Sequence, residues 1–400
     1  MQLSRRVARI RESATLRVAR RALELRAQGV QVVDFGAGEP DFASPRVAVE
    51  AARQALADGF TKYTANNGIP ELRRALAERY RRDFGSPWTA AETLVTVGGK
   101  GGLFESTLAL VDDGSEVVLH TPAWVSFVEQ IRFAGGVPVE VPTDGADAFA
   151  IRAEPILAAL TDRTRAVILN SPCNPTGGVI RPEERRAIVE ECARRGIVVL
   201  SDETYERFVY DGFVPGSVAE LAAEFPDTVA LVGSFSKTYA MTGWRIGYLL
   251  GPRELVDAAA RIQSHSTSNA TSFAMKGALA ALDGAETEVV AMICEYAWRR
   301  RYLIDRLNAI PGIHCAAPRG AFYAFPDVSA RLRDDGAGAT PTELAERLLD
   351  LEAVAIVAGE AFGSDRHVRI SFACSRADLA EGLDRIERFL ARSRVRAGVP

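Results

Sequence analysis

Residues 234–247 read SFSKTYAMTGWRIG, and they follow the short apolar run TVALV at residues 228–232. A short run rich in apolar and β-branched residues is typical of a buried strand. Lys237 and two serines, Ser234 and Ser236, therefore come directly after a predicted strand. In an open α/β sheet, ligands bind just beyond the carboxyl ends of the strands. The segment thus places this lysine at a predicted binding site.

Four further apolar runs precede this strand, and they alternate with helical patterns such as the one at residues 183–195. The alternation predicts βαβ units and a mainly parallel sheet. The five predicted strands are residues 93–97, 116–119, 165–169, 196–200 and 228–232.

The pattern changes near residue 290, where long charged helices surround a short strand at residues 368–372. The predicted helices are residues 295–308, 341–352 and 376–392. We therefore predict an α/β protein with a large domain at residues 46–290 that contains the central sheet. Residues 1–45 and 291–400 are predicted to form an N-terminal arm and a smaller α+β domain.

The composition excludes several classes of protein. The 400 residues include 48 basic and 52 acidic side chains, a balance that does not favour a nucleic-acid partner. No apolar run approaches the roughly 20 residues of a membrane helix, so no membrane partner is predicted. Five scattered cysteines favour a reduced, cytoplasmic protein, and four dispersed histidines predict no metal site. Lysine chemistry has few candidates: Lys62, Lys100, Lys237 and Lys276.

Polar groups follow each of the five predicted strands and would share one edge of the sheet. In chain order they are the cluster Gly98, Gly99, Lys100, Gly101 and Gly102, then Trp124, Asn174, Asp202 with Tyr205, and Ser234 with Ser236 and Lys237. Backbone N–H groups and hydroxyls suit a phosphate, and a carboxylate suits a pyridine nitrogen. An aromatic side chain suits a ring face, and a lysine suits an aldehyde. Pyridoxal 5'-phosphate (PLP) carries all of these groups, so we predict PLP as the cofactor.

Segments throughout the chain support a resemblance to a known family. The segment at 234–247, GAGEPDF at 36–42, YT at 63–64 with GIPELR at 68–73, NPTG at 174–177, DETY at 202–205 and GAFY at 320–323 match in order and spacing. Together they closely resemble class I aminotransferases of fold type I. The subgroup that the chain resembles most is the bacterial aspartate aminotransferases of subfamily I-gamma, which also contains prephenate and aromatic aminotransferases. The resemblance covers essentially the whole chain.

The resemblance implies a role for each group around the cofactor ring. Lys237 would bind PLP as a Schiff base and later move a proton. Asp202 would pair with the pyridine nitrogen, and Asn174 and Tyr205 would donate to the phenolic oxygen. Trp124 would stack on the ring.

The resemblance also implies the phosphate and substrate contacts. The phosphate would be held by Ser234, Ser236, Arg245 and the backbone of Gly99, Lys100 and Gly101, with Tyr63 reaching across from a neighbouring subunit. Arg369 would clamp the α-carboxylate of the substrate, with Gly38, Trp124 and Asn174 nearby. Lys100 would help to bind a distal carboxylate, assisted by Ser13 and Thr15.

The implied activity is transfer of an amino group between L-aspartate or L-glutamate and a 2-oxo acid such as 2-oxoglutarate, by a ping-pong mechanism in a homodimer with shared sites. Ala123, Gly101 and Phe127 depart from residues common in the subgroup, and they leave the substrate open. The alternatives are an aromatic, prephenate or specialised-pathway aminotransferase, and a PLP-dependent lyase. At the level of single residues, Lys100 could also be solvated and Trp124 could belong to the core.

Overall fold

The computed structural model describes Ser4, Val7, Ile10 and residues 14–332 and 337–392, with the side chains of residues 14–16 left out. The strands are β1 Val33–Asp34, β2 Thr93–Val97, β3 Glu116–Thr121, β4 Val137–Pro142, β5 Thr164–Asn170, β6 Val198–Asp202, β7 Val229–Ser234, β8 Ile246–Leu250, β9 Tyr323–Ala324, β10 Val354–Ala355, β11 Val357–Ala358 and β12 Val368–Ser371. The α-helices are α1 Ala14–Ala27, α2 Arg46–Ala57, α3 Pro70–Phe84, α4 Gly98–Leu110, α5 Val125–Ala134, α6 Ala153–Ala158, α7 Pro182–Arg195, α8 Phe235–Thr238, α9 Arg253–Ser264, α10 Ser272–Gly284, α11 Glu286–Asn308, α12 Pro341–Glu352 and α13 Arg376–Ala391.

The large sheet has seven strands in the order β2-β8-β7-β6-β5-β3-β4. The pairs β4–β3, β3–β5, β5–β6 and β6–β7 are parallel. Strand β8 is antiparallel to both of its neighbours, β2 and β7. All five predicted strands are present in this sheet, and the predicted α/β class with a mainly parallel central sheet is confirmed.

Two strands of the large sheet were not predicted from the sequence. Strand β4 reads VPVEVP, and its prolines weaken a strand pattern. It forms the edge of the sheet, where a proline need not donate to a neighbour. Strand β8 follows the segment around Lys237 after a short turn, and nothing in its local pattern indicates its reversed direction.

The C-terminal part of the chain has its own small sheets and its own core. Strands β11, β12 and β9 form an antiparallel sheet, and β1 pairs in parallel with β10. Buried residues from both ends of the chain pack in one cluster, for example Phe35, Tyr296 and Phe372. The segment before residue 45 therefore packs with the C-terminal helices.

Helix α11 spans the predicted boundary between the two domains. Val289, in its first turn, belongs to the core beneath the large sheet, whereas Met292 and Leu303 belong to the C-terminal core. The boundary at residue 290 falls inside one continuous helix, and the division of the chain at residues 45 and 290 stays a prediction. Within the described residues, no helix is long and apolar enough to cross a membrane.

Candidate active site

A cavity of about 490 Å³ lies at the carboxyl edge of the large sheet. Twelve of the predicted site residues line it: Gly38, Gly99, Lys100, Trp124, Asn174, Asp202, Tyr205, Ser234, Ser236, Lys237, Arg245 and Arg369. A larger cleft of about 950 Å³ lies between α1, α5 and α12, and none of the predicted site residues line it. Chemistry, rather than size, therefore selects the smaller cavity as the candidate active site.

One end of the cavity is built to hold an anion. Strand β2 leads into the N-terminus of α4 at Gly98, and β7 ends at Ser234, whose Oγ accepts the N–H of Ser236 at 3.1 Å. Because β8 runs in the opposite direction, its beginning lies at this same edge, and it brings Arg245 there. Gly98 has a φ of 69°, and a Cβ on it would lie 2.4 Å from a guanidinium nitrogen of Arg245. A glycine is therefore required for the arginine to lie against the start of the helix.

The middle of the cavity contains a buried carboxylate. Oδ1 of Asp202 accepts the N–H of Thr204 at 3.1 Å, and burial raises the pKa of Asp202 to about 6. Asn170 holds the adjoining backbone, since its side-chain amide donates to the carbonyl of Asp202 at 3.2 Å. The N–H of Asn170 in turn donates to Nε2 of His120, a buried imidazole whose pKa is lowered to about 4 by that burial. Asp202 is thus a preorganised anion that a cationic group would stabilise.

Lys237 extends into the cavity from α8. Its Nζ donates to the carbonyl of Gly38 at 2.5 Å. Burial lowers the pKa of this amine to about 8, and the positive charges of Arg245 and Arg369 act in the same direction. At pH 7 about a tenth of the amine is therefore unprotonated, far more than for a solvated lysine, and this is the nucleophilic form.

This pKa predicts how cofactor-free protein takes up PLP. If PLP attaches at Lys237, as the sequence predicts, the unprotonated amine would attack the aldehyde, so the rate constant for uptake should rise with pH, with a midpoint near 8, and level off above it. The measurement is the absorbance change after mixing, from pH 6 to 10. A solvated lysine would give a midpoint near 10.4, and that result would contradict the effect of burial on Lys237.

The opposite end of the cavity presents a buried guanidinium. Arg369, 2% exposed, donates to Oδ1 of Asn174 at 3.0 Å and to the carbonyl of Gly36 at 2.7 Å. Its Nε has no hydrogen-bond partner among the described residues. Because Oδ1 of Asn174 already accepts from the arginine, the amide NH₂ group is the part that can donate into the cavity. A guanidinium held in this way can bind a carboxylate with two hydrogen bonds.

Trp124 and Lys100 lie together on the open side of the cavity. The Nζ of Lys100 is 4.8 Å from the centre of the tryptophan ring, a cation–π distance. The pKa of Lys100 is lowered by desolvation and by Arg245. Phe127 packs edge-on against Trp124, with ring centres 5.4 Å apart, so it supports the tryptophan from behind.

Two predicted cofactor residues lie outside the cavity lining. Gly101 is one residue further into α4, where a Cβ would face Thr96 and Val97 at 3.8 Å. Tyr63 is 89% exposed on the single chain. Of the predicted arm residues, Ser13 and the side chain of Thr15 lie outside the described part of the chain.

Tyr323 and Asn170 are among the cavity residues that were given no role from the sequence. Tyr323 comes from β9 and places its hydroxyl 2.8 Å from that of Tyr205. Asn170, the last residue of β5, accepts the N–H of Asn174 at 2.9 Å. Tyr323 belongs to the quoted segment GAFY, and Asn170 follows the predicted strand at residues 165–169, so their positions, but not their contacts, were available as signals.

The residues of the cavity suit three groups of PLP. The glycine-lined helix start with Arg245 suits the phosphate, and the buried Asp202 suits a cationic ring nitrogen. The buried amine of Lys237 suits the aldehyde. The fold and this cavity define a PLP-dependent enzyme.

Comparisons with known proteins identify the family. The family model for aminotransferase class I and II matches residues 30–386. The chain therefore belongs to the class I and II aminotransferases.

Relatives over the full length agree with this assignment. The chain is 42% identical to an aspartate aminotransferase of Geobacillus stearothermophilus, over 98% of this chain and 99% of the relative. It is 44% identical to an aspartate/prephenate aminotransferase of Thermus thermophilus, over 98% and 99%. Among solved structures, the aspartate aminotransferase of Thermus thermophilus with maleate superimposes with a TM-score of 0.91 at 42% identity, covering 97% of this chain and 100% of that chain. The aspartate aminotransferase of Rhizobium meliloti superimposes with a TM-score of 0.93 at 38% identity, covering 98% of this chain and 100% of that chain.

Proposed function

We propose that this aminotransferase moves an amino group between L-aspartate or L-glutamate and a 2-oxo acid such as 2-oxoglutarate, in two half-reactions. The observation that carries the proposal is the presence of two cations, Arg369 and Lys100, in the lining of the same cavity as Lys237. Arg369 is buried beside Asn174, and Lys100 lies beside Trp124. Two cations suit a substrate with two carboxylates. The names of the relatives, and the maleate in one related structure, support the same substrate class.

We assign the site residues according to their contacts. PLP, when bound, supplies an electron sink and stores the amino group between the half-reactions. Asp202 would face the ring nitrogen, and Asn174 and Tyr205 would donate to the phenolic oxygen. Ser234, Ser236, Arg245 and the backbone of Gly99 and Lys100 would hold the phosphate, and Trp124 would cover the ring.

In this proposal, Lys237 transfers the proton. The two hydrogen bonds from Arg369 would fix the α-carboxylate of the substrate and so orient its Cα–H bond toward the lysine. The neutral amine of Lys237 would then take the proton from Cα. Since burial brings the pKa of Lys237 to about 8, the amine needs little free energy to be neutral at physiological pH.

An absorbance experiment tests the proposed function. Holoenzyme should lose its long-wavelength PLP band when L-aspartate or L-glutamate is added, and 2-oxoglutarate should restore it. If neither acid changes the band, the proposal of a dicarboxylate substrate is wrong. Release of ammonia or CO₂ without any need for a 2-oxo acid would indicate the lyase alternative instead.

Aromatic or prephenate substrates are the second candidate, because several full-length relatives are named aspartate/prephenate aminotransferases. A substitution at Lys100 distinguishes the two candidate substrate classes. Replacing Lys100 by methionine should lower kcat/KM for aspartate about 10- to 100-fold, since the distal carboxylate loses a charged partner worth about 1.5–3 kcal/mol. The kcat/KM for phenylalanine should change less than about 3-fold, which corresponds to a free-energy change below roughly 0.7 kcal/mol. Equal losses for both substrates would assign Lys100 to the cofactor.

We also propose a cytoplasmic homodimer with shared sites. The five cysteines are free, which fits a reducing compartment. Tyr63 is a large side chain left exposed on the single chain, as expected if it contacts the phosphate in a second subunit. Sedimentation equilibrium should give twice the chain mass of 43.2 kDa. A monomeric holoenzyme would contradict the shared site.

A further inference from the structure

Tyr205 and Tyr323 form a buried pair where the cofactor and substrate ends of the cavity meet. Tyr323 is 1% exposed, and its oxygen lies 2.8 Å from that of Tyr205. It enters the site from β9, where it pairs with Ser371 of β12, the same strand that carries Arg369. Tyr323 therefore connects the strand of the carboxylate-binding arginine to the loop that follows Asp202.

The ring and the hydroxyl of Tyr323 have different partners. The ring lies under Arg369, with the guanidinium carbon 4.5 Å from the ring centre. The hydroxyl contacts Tyr205, and it lies so close to Gly38 that a Cβ there would be 3.1 Å from the oxygen. The two contacts can be separated by mutation, because phenylalanine keeps the ring and removes only the hydroxyl.

The direction of the hydrogen bond between the tyrosines follows from a count of protons. Burial raises the pKa of both phenols, so each keeps its proton at neutral pH and each can donate once. Under the proposed function, Tyr205 donates its proton to the phenolic oxygen of PLP. The oxygen of Tyr205 must then accept in the pair, and Tyr323 must donate.

We propose that Tyr323 is a positioning residue with two separable functions. Its hydroxyl donates to Tyr205 and, through the polarisation that runs along a chain of hydrogen bonds, makes Tyr205 a stronger donor to the cofactor. Its ring holds the guanidinium of Arg369 in place for the substrate carboxylate. The first function rests on the proposed contact of Tyr205 with PLP.

The test is a spectroscopic pH titration of holoenzyme without substrate. A strong donor at the phenolic oxygen favours the unprotonated form of the Schiff base at Lys237, so Tyr323→Phe should raise the pKa of the absorbance transition by about 0.5 unit, less than the loss of one whole hydrogen bond would cause. The Kd of succinate, a dicarboxylate that binds without reacting, should change less than about 2-fold, because the ring remains. Tyr323→Leu should raise both the pKa and the Kd.

Two further variants complete the design. Tyr210→Phe is the matched control: its hydroxyl donates to the carbonyl of Ala321 at 2.7 Å, outside the cavity lining, and its loss should leave the pKa of the transition unchanged. Tyr205→Phe should raise that pKa more than Tyr323→Phe does. If Tyr205→Phe has no effect, the proposed contact of Tyr205 with PLP is wrong. If Tyr205→Phe raises the pKa but Tyr323→Phe leaves it unchanged or lowers it, the proposed direction of the hydrogen bond is overturned.

Discussion

Replacing Lys237 by alanine is expected to lower kcat at least about 10⁴-fold, because under the proposed function the variant loses both the covalent attachment of PLP and the group that moves the proton. The buried amine is the one cavity lysine within reach of the carbonyl of Gly38, whereas Lys100 lies beside Trp124. Borohydride reduction followed by mass spectrometry should add the cofactor mass to the original protein and not to the variant.

Lys276→Ala is the matched control for this experiment. The ammonium of Lys276 pairs with Glu71 at 2.5 Å and lies outside the cavity lining. Its removal should leave turnover and borohydride labelling unchanged. Labelling of the Lys237→Ala variant at another lysine, with turnover close to that of the original protein, would show that the attachment site is elsewhere.

Replacing Asp202 by asparagine is expected to change activity and stability in opposite directions. The shape of the side chain is kept, but the negative charge that we propose to face the ring nitrogen is lost. Breaking a buried ion pair costs about 3–5 kcal/mol, and losing about half of that free energy in the transition state would lower kcat about 10- to 70-fold. The end of the cavity that we propose for the phosphate does not involve Asp202, so the variant should still bind PLP.

The stability effect follows from the pKa of Asp202. Burial raises this pKa to about 6 from an unfolded value of about 3.9. The contribution of the group to stability is therefore complete below pH 3.9 and is lost as pH rises through 6. At pH 7 the cofactor-free variant should be more stable than the original protein, by up to about 3 kcal/mol. Denaturant unfolding without PLP measures this difference. A variant less stable than the original protein would contradict the claim that the buried charge of Asp202 is uncompensated in the absence of the cofactor.

The sequence predicted those site residues that come directly after parallel strands. Asp202, Ser234 and Asn174 each follow a recognisable apolar run, and parallel strands deliver their carboxyl ends to one edge. For these residues, the local pattern and the order of elements determine the position. Arg369 was placed by family resemblance alone, because one arginine among many carries no local signal.

The contacts that the sequence could not predict depend on long-range packing. The reversed direction of β8 brings Arg245 to the edge, and that direction is decided by pairing with β2 and β7. The contact between Tyr205 and Tyr323 joins residues of two separate elements, and no spacing along the chain encodes it. The cation–π contact of Lys100 depends in the same way on where α4 and Trp124 meet.

The parallel pairing of β1 with β10 has a consequence for synthesis on the ribosome. Every strand of the large sheet has been made once Leu250 emerges, so that sheet can fold while translation continues. Val33 has no strand partner until Val354 is made, which is on the order of 10 s after Leu250 at usual elongation rates. Gly38 follows β1 directly, and Arg369 is translated later still. The segment that contains β1 can therefore pair only after a much later part of the chain has been made, and the nascent chain cannot complete its pocket before Arg369 has been translated.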